Sequence, residues 1–273
     1  MSVLTQTDFY KTGHYKQYPE GTELVYSNLT PRSSRLFNWK DFDGKIVFFG
    51  LQAFIKEYLI NEWNNNFFKK DKAEVVAKYK RRMDTSLGPN AVSMTHIEEL
   101  YDLGYLPIEI RALPEGRKVP IGVPVLTIHN TLDKFYWLTN FLETVMSAEL
   151  WKPSTVATIA HQYKKMLVQY AEETGGDVGF TALQGHDFSF RGMSGRHDAA
   201  MSGMGHLISF VGTDTIPAID AAEEFYSADA EKELLGTSVP ATEHSVACSN
   251  IAYIEKELRE KGEWNGWKLE DLI

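Results

Sequence analysis

The spacing of apolar positions changes along the chain, and the changes divide it into segments. From Gly50, the residues Leu51, Phe54, Ile55, Tyr58, Leu59 and Trp63 follow the i, i+3, i+4, i+7, i+8 rule and predict an amphipathic helix. Lys72 to Met83 predicts a second, charged helix with a Val75, Val76, Tyr79 stripe, and His96 to Leu103 a third. Residues 1–48 read as irregular, with turn signals at Pro19-Glu20-Gly21 and Asp43-Gly44 around one expected strand, Glu23 to Leu29. A β-rich stretch follows the helices. It runs from Leu106 to Leu113, turns at Pro114-Glu115-Gly116, and continues from Lys118 to Ile128, where Pro120 and Pro124 make the strands edge-like or bulged. Trp137, Phe141, Val145 and Leu150 then share one side of a long helix. Pro153 is expected to end it, with Ser154 capping the next helix, Thr155 to roughly Glu173.

Beyond Gly175-Gly176 short apolar pieces alternate with helical stretches. Phe180 to Leu183 and Leu207 to Val211 read as strands, and 216–226 and 244–261 as helices. Such βα alternation predicts a parallel sheet or a barrel. The expected class is α/β, with an α+β amino-terminal domain over residues 1–150 and a barrel domain over residues 151–273. The boundary is expected near 130–155.

Composition narrows the function. The 273 residues are 43% apolar and 24% charged, with 6 Trp, 13 Tyr and 15 Phe, which is ordinary for a chain that buries a sizeable core. A formal net charge of -9 argues against a sequence-independent nucleic-acid binder but leaves a local phosphate site open. Cys248 is the only cysteine, which excludes an intramolecular disulfide and a CxxC zinc site and suits a reducing compartment. No apolar run reaches about 18 residues, so no spanning helix and no membrane partner are expected. The amino terminus lacks a basic segment followed by an apolar one, and the expected location is cytoplasmic.

Chemistry-bearing residues gather in two places. The run from Asp8 to Tyr18 holds three tyrosines, two lysines, His14 and Asp8, read either as a surface arm or as an aromatic arm covering a site. The second group is His186-Asp187-Phe188-Ser189-Phe190-Arg191-Gly192. It is followed by Gly212-Thr213-Asp214-Thr215 and by Ser238-Val239-Pro240-Ala241-Thr242-Glu243-His244-Ser245. Each follows an apolar piece or opens a helix, so the three loops are expected to converge at one end of successive βα units. Taken singly, Asp214 reads equally as a helix cap, His244 as a surface histidine and Arg191 as an ion-pair partner. The glycines of 192–205 lack the GxGxxG spacing of dinucleotide sites.

These runs resemble the nicotinamide phosphoribosyltransferase family. The resemblance is carried by Asp8-Phe9-Tyr10-Lys11 through His14-Tyr15-Lys16-Gln17-Tyr18-Pro19, by Phe49-Gly50-Leu51-Gln52, and by Leu106 to Ile110. It continues in Tyr136 to Asn140, Thr155 to Thr158 and the three polar loops, in the same order from Thr7 to about Asn250. It implies a type II phosphoribosyltransferase-like fold. It also implies the joining of nicotinamide to phosphoribosyl pyrophosphate, giving nicotinamide mononucleotide and pyrophosphate in NAD salvage, with Mg²⁺ accompanying the substrate. ATP hydrolysis is optionally coupled through a phosphohistidine, which falls at His244. The ring would lie between Phe188 and the Tyr10 of a second subunit in a homodimer with shared sites. Arg191 would meet the amide oxygen, Asp214 the amide nitrogen, and Arg32, across the dimer, a phosphate. Asp8 would lie near the ring, with Ser238 and Val239 lining the pocket. No protein metal ligands are implied.

An aromatic sandwich suits a flat ring, and an Arg donor with an Asp acceptor complements a carboxamide. Asp214 would repel the acid of nicotinate, which argues against the related nicotinate phosphoribosyltransferase. Residues 250–273 contain neither the family's arginine-proline-aspartate-serine-glycine segment nor its glycine-rich phosphate loop. The resemblance therefore implies an incomplete barrel, as one part of a split enzyme completed by a second polypeptide, a truncated product, or a non-catalytic nicotinamide-binding module.

Overall fold

The protein is described here by a computed structural model covering residues 1–271. The helix expected from Gly50 begins as α1 (Leu51–Phe54) and continues with π-type hydrogen bonding over Ile55–Glu62 and Asn64–Phe68. Gly50 adopts a φ of 105°, and the Glu115 carboxylate accepts from the backbone N–H of Gly50 (2.6 Å) and Gln52 (2.7 Å). An anion there satisfies N–H groups that the first helical turn leaves open. Two further helices, α2 (Lys72–Leu87) and α3 (Thr95–Leu103), match their expected spans closely, with the Asp71 side chain capping α2.

The β-rich stretch folds as two small antiparallel sheets. β1 (Tyr26–Leu29), β3 (Ile108–Ala112) and β5 (Leu126–Asn130) pair in the order β1-β5-β3, and β2 (Lys45–Val47) pairs with β4 (Lys118–Pro120). Pro120 ends β4 in a two-stranded ladder, where the missing N–H costs little. Trp63, Phe67, Tyr79, Leu100 and Phe141 are fully or almost fully buried in the core that joins these sheets to the helices.

A single helix, α4 (Leu138–Thr174), runs through this region with Pro153 inside it. The expected break at Pro153 does not occur, and the division placed at 150/151 falls within α4. Packing on both sides of the proline explains the continuity. Leu150 and Ala157 are buried on one helix face, and Ser154 donates to the Phe49 carbonyl (2.9 Å) instead of capping a new helix. Thr158 Oγ1 accepts from the Val47 N–H at 2.8 Å.

The segment 180–183, read as a strand, is instead the short helix α5 (Thr181–Gln184). The strand is β6 (His186–Asp187), which pairs in parallel with β7 (Gly212–Thr213). Leu207 to Val211 ends one helix and leads into β7 rather than forming a strand. Gly212 also bridges Thr237 in parallel, so three strand pieces lie side by side. Between them lie α6 (Arg196–Leu207) and α7 (Ile216–Tyr226), which form a second core with Phe49, Met201, Met204, Ala218 and Phe225. Gly205 lets α6 approach α4, because a Cβ there would lie 2.7 Å from the Pro153 carbonyl oxygen.

Contacts separate the chain into one compact unit, Met1–Thr237, and a second that begins at Ser238. The second unit contains α8 (His244–Lys261), an exposed helix with Glu255–Arg259 and Glu257–Lys261 ion pairs at i, i+4 spacing.

Candidate active site

Each of the parallel strands β6 and β7 delivers a cleft-lining residue to its carboxyl end. β6 leads into Phe188, and β7 into Asp214 and Thr215. The Asp214 N–H donates to the Asp187 carbonyl at 2.9 Å, which ties the two strand ends together. Beyond them opens a cleft of about 800 Å³. Phe188, Phe190, Arg191, Met193, Arg196 and Asp214 line it, with Gly195 and Thr215 completing its wall. Phe188 is 67% exposed, so its ring is free to meet a ligand. An aromatic face, a guanidinium and a carboxylate therefore share one cavity, a set that can hold a flat ring bearing a carboxamide.

Asp214 is not a helix cap. Its Oδ1 lies 2.8 Å from His186 Nε2, and the His186 and Phe188 rings are 4.5 Å apart. Asp187 points the other way, as alternation along a strand requires, and is buried. Burial pushes its carboxyl up, but hydrogen bonds from Ser189 and the charge of nearby His206 outweigh it, and the carboxyl stays below its ordinary value. Burial lowers the His206 imidazole, whose Nε2 is 3.0 Å from the Gly212 carbonyl oxygen.

The loop that carries Arg191 is anchored through the first turn of α6. Asp198 accepts from Lys152 and from the Ser194 N–H (2.8 Å). His197 lies between Glu149 (2.6 Å) and Glu57 (3.3 Å), and hydrogen bonds to these carboxylates raise its pKa to about 10.

Asp8, Tyr10 and Arg32 are exposed and do not line the cleft. Asp8 accepts from Thr144 (2.5 Å), and Lys11, paired with Glu143, sits 5.2 Å from the centre of the Tyr10 ring. The tyrosine-rich segment is a 3-10 helix, Phe9–Lys16, and Tyr15 stacks on buried His96 at 4.4 Å. Ser238, Val239 and His244 belong to the second unit, where His244 is the exposed first residue of α8. Glu243 accepts from Ser245. Met193 and Arg196 enter the cleft without any sequence motif having marked them, and His186, which contacts Asp214 and Phe188, was marked in the sequence only as a member of a polar run. Among the described residues no group of three or more His, Cys, Asp or Glu is arranged to hold a metal ion, and no helix is long and apolar enough to cross a membrane.

Two family models match this chain. One, described as nicotinamide phosphoribosyltransferase, N-terminal domain, covers residues 2–110. The other, the nicotinate phosphoribosyltransferase family, covers residues 183–261. The chain is 63% identical to a nicotinamide phosphoribosyltransferase of Acinetobacter baylyi over 91% of its own length and 49% of that relative. It is 33% identical to one from Xanthomonas campestris pv. campestris, with the same two coverages. The fold is similar to a crystal structure of human nicotinic acid phosphoribosyltransferase, with a TM-score of 0.58 at 18% identity over 89% of this chain and 40% of that one. The chain spans about half the length of the curated relatives it matches. Over most of its length the chain is thus similar in sequence to about half of a nicotinamide phosphoribosyltransferase, and its residues 2–110 match that family's N-terminal domain.

Proposed function

We propose that this chain binds nicotinamide in the cleft at the ends of β6 and β7 and takes part in making nicotinamide mononucleotide from it. The observation that carries the reading is the convergence of Phe188, Arg191 and Asp214 on one cavity. Phe188 stacks on the pyridine ring, Arg191 donates to the amide oxygen, and Asp214 accepts from the amide nitrogen. The pyridine nitrogen then forms its bond to the ribose carbon of phosphoribosyl pyrophosphate as the bond to pyrophosphate breaks. That leaving group must have its charge neutralised, which Mg²⁺ arriving on the substrate's own oxygens supplies.

The reading extends to the remaining candidates. Tyr10 and Arg32 reach the ring and phosphate across a homodimer, Asp8 lies near the ring, and Ser238 and Val239 are pocket-lining candidates. His244 accepts a phosphoryl group from ATP. Its position as first residue of an 18-residue helix favours an anion there. The proposed compartment is the cytoplasm. Nicotinate phosphoribosyltransferase is disfavoured because Asp214 sets a carboxylate where the acid substrate would carry its own.

Calorimetric titration of nicotinamide into the purified chain tests the pocket. Asp214→Ala should weaken binding about 10- to 100-fold, as expected for losing a hydrogen bond to a charged group. Unchanged affinity rejects the assignment. Product formation with phosphoribosyl pyrophosphate and Mg-ATP tests the chemistry. Binding without turnover favours a non-catalytic binding subunit, unless turnover returns when a polypeptide bearing the later motifs is added.

A further inference from the structure

His186 touches both sides of the amide-recognition set without being assigned to it. It opens β6, so its side chain leaves the strand opposite to buried Asp187. Its Nε2 lies 2.8 Å from Asp214 Oδ1. Its ring centre lies 4.5 Å from that of Phe188, with the planes inclined at 32°. The space it occupies exists because its partner across the ladder is Gly212. A Cβ on Gly212 would sit 2.9 Å from His186 Nδ1 and 3.0 Å from the Gly185 carbonyl oxygen.

We propose that His186 is a positioning residue that sets the preference of this cleft for a neutral aromatic amide over the corresponding acid. The inference rests on the nicotinamide reading above. In this arrangement the Nε2–H of His186 donates to Asp214 and fixes the direction of its carboxylate. A carboxylate has about four acceptor sites, so accepting from His186 is compatible with accepting from an amide N–H as well. Holding the carboxylate in one rotamer before ligand arrives removes an ordering cost from binding. The same fixed charge repels a ligand carboxylate, which a carboxylate free to swing away would do less well. Behind Phe188, the imidazole ring restricts the aromatic face on which the ligand stacks.

Two variants separate these roles. His186→Phe keeps a flat ring beside Phe188 and removes the donor, whereas His186→Gln keeps a donor and removes the ring. Affinities for nicotinamide and nicotinate are measured by calorimetry, alongside thermal unfolding. His186→Phe is expected to weaken nicotinamide binding about 10- to 100-fold with nicotinate little changed, so the preference falls by the same factor. His186→Gln should retain most of the preference. A merely structural role would lower both affinities together and leave their ratio alone.

A wild-type chain that prefers nicotinamide, with the preference intact in His186→Phe, overturns this inference alone. A wild-type chain that binds neither compound overturns the nicotinamide reading and this inference with it. Should His186→Phe fail to fold, nitrogen NMR of the wild-type imidazole decides. An Nε2–H tautomer that responds to Asp214→Asn is expected, and an Nδ1–H tautomer overturns the proposal.

Discussion

The amino-terminal core and the cleft at the ends of β6 and β7 are both rich in aromatic residues, yet they use them in opposite ways. In the core the rings satisfy one another. Trp63 meets Phe67 edge-on at 5.5 Å, Phe67 meets Tyr101 at 5.4 Å, and Trp137 meets Phe141 at 5.3 Å. In the cleft, Phe188 and Phe190 stay 67% and 41% exposed, and the side chains around them are charged. Residue type alone does not separate a ring that stabilises the fold from one that waits for a ligand. The separation comes from what surrounds the ring. Helices α2, α3 and α4 close over the first set, whereas the second sits on the short segment that follows the two-residue strand β6.

That contrast predicts opposite mutational signatures. Phe141→Ala, at 1% exposure, should cost about 3–5 kcal/mol of stability by urea unfolding, from lost burial and the cavity left behind. A cost below about 1 kcal/mol would show that the core can collapse around the gap. Gly205→Ala should cost about 1–3 kcal/mol, because its Cβ would press on the Pro153 carbonyl, a backbone atom that cannot swing aside. An unchanged unfolding midpoint would mean that α6 and α4 slide apart freely. Phe188→Ala should leave stability within about 0.5 kcal/mol while weakening nicotinamide binding by roughly tenfold. Loss of stability without loss of binding would reverse the comparison.

The smallest effect concerns the support of the cleft. His197, with its pKa raised from 6.5 to about 10, binds a proton more tightly in the folded chain than in the unfolded one. Its contribution is therefore complete below about pH 6.5 and fades as pH rises toward 10. The side chain is 44% exposed, so solvent screening keeps the effect small. The unfolding temperature of wild type should fall more between pH 6 and pH 10 than that of His197→Gln. Parallel pH profiles would remove the ion-pair bracing of α6 from the account.

Local pattern alone made α3, α7 and α8 legible, because each carries its period and its end signals within its own residues. The strand at Tyr26–Leu29 and the edge character of Pro120 were legible for the same reason. The failures have a shared cause. Pro153 reads as a helix end because it lacks an N–H, but packing of Leu150, Ala157 and Gly205 on either side holds α4 continuous through it. The apolar piece Phe180 to Leu183 is too short for its period to distinguish strand from helix, and the strand forms three residues later. In the site, Phe188, Arg191 and Asp214 could be singled out as chemically apt and in family order. Their meeting in one cavity depends on the pairing of His186 with Gly212 and Asp187 with Thr213.

The sequence by itself determined the similarity to nicotinamide phosphoribosyltransferases, the composition of the core and the residue types offered to a ligand. Those depend on side-chain chemistry and local spacing. The tertiary structure decided that a proline would sit inside a helix of 37 residues, and that Asp214 would meet His186 instead of capping a helix. It also brought two unmarked residues, Met193 and Arg196, into the cleft. Each of these outcomes joins groups far apart in sequence. Such contacts are governed by how closely backbones approach, and here that approach is set by Gly205 and Gly212, which have no side chain to keep their neighbours away.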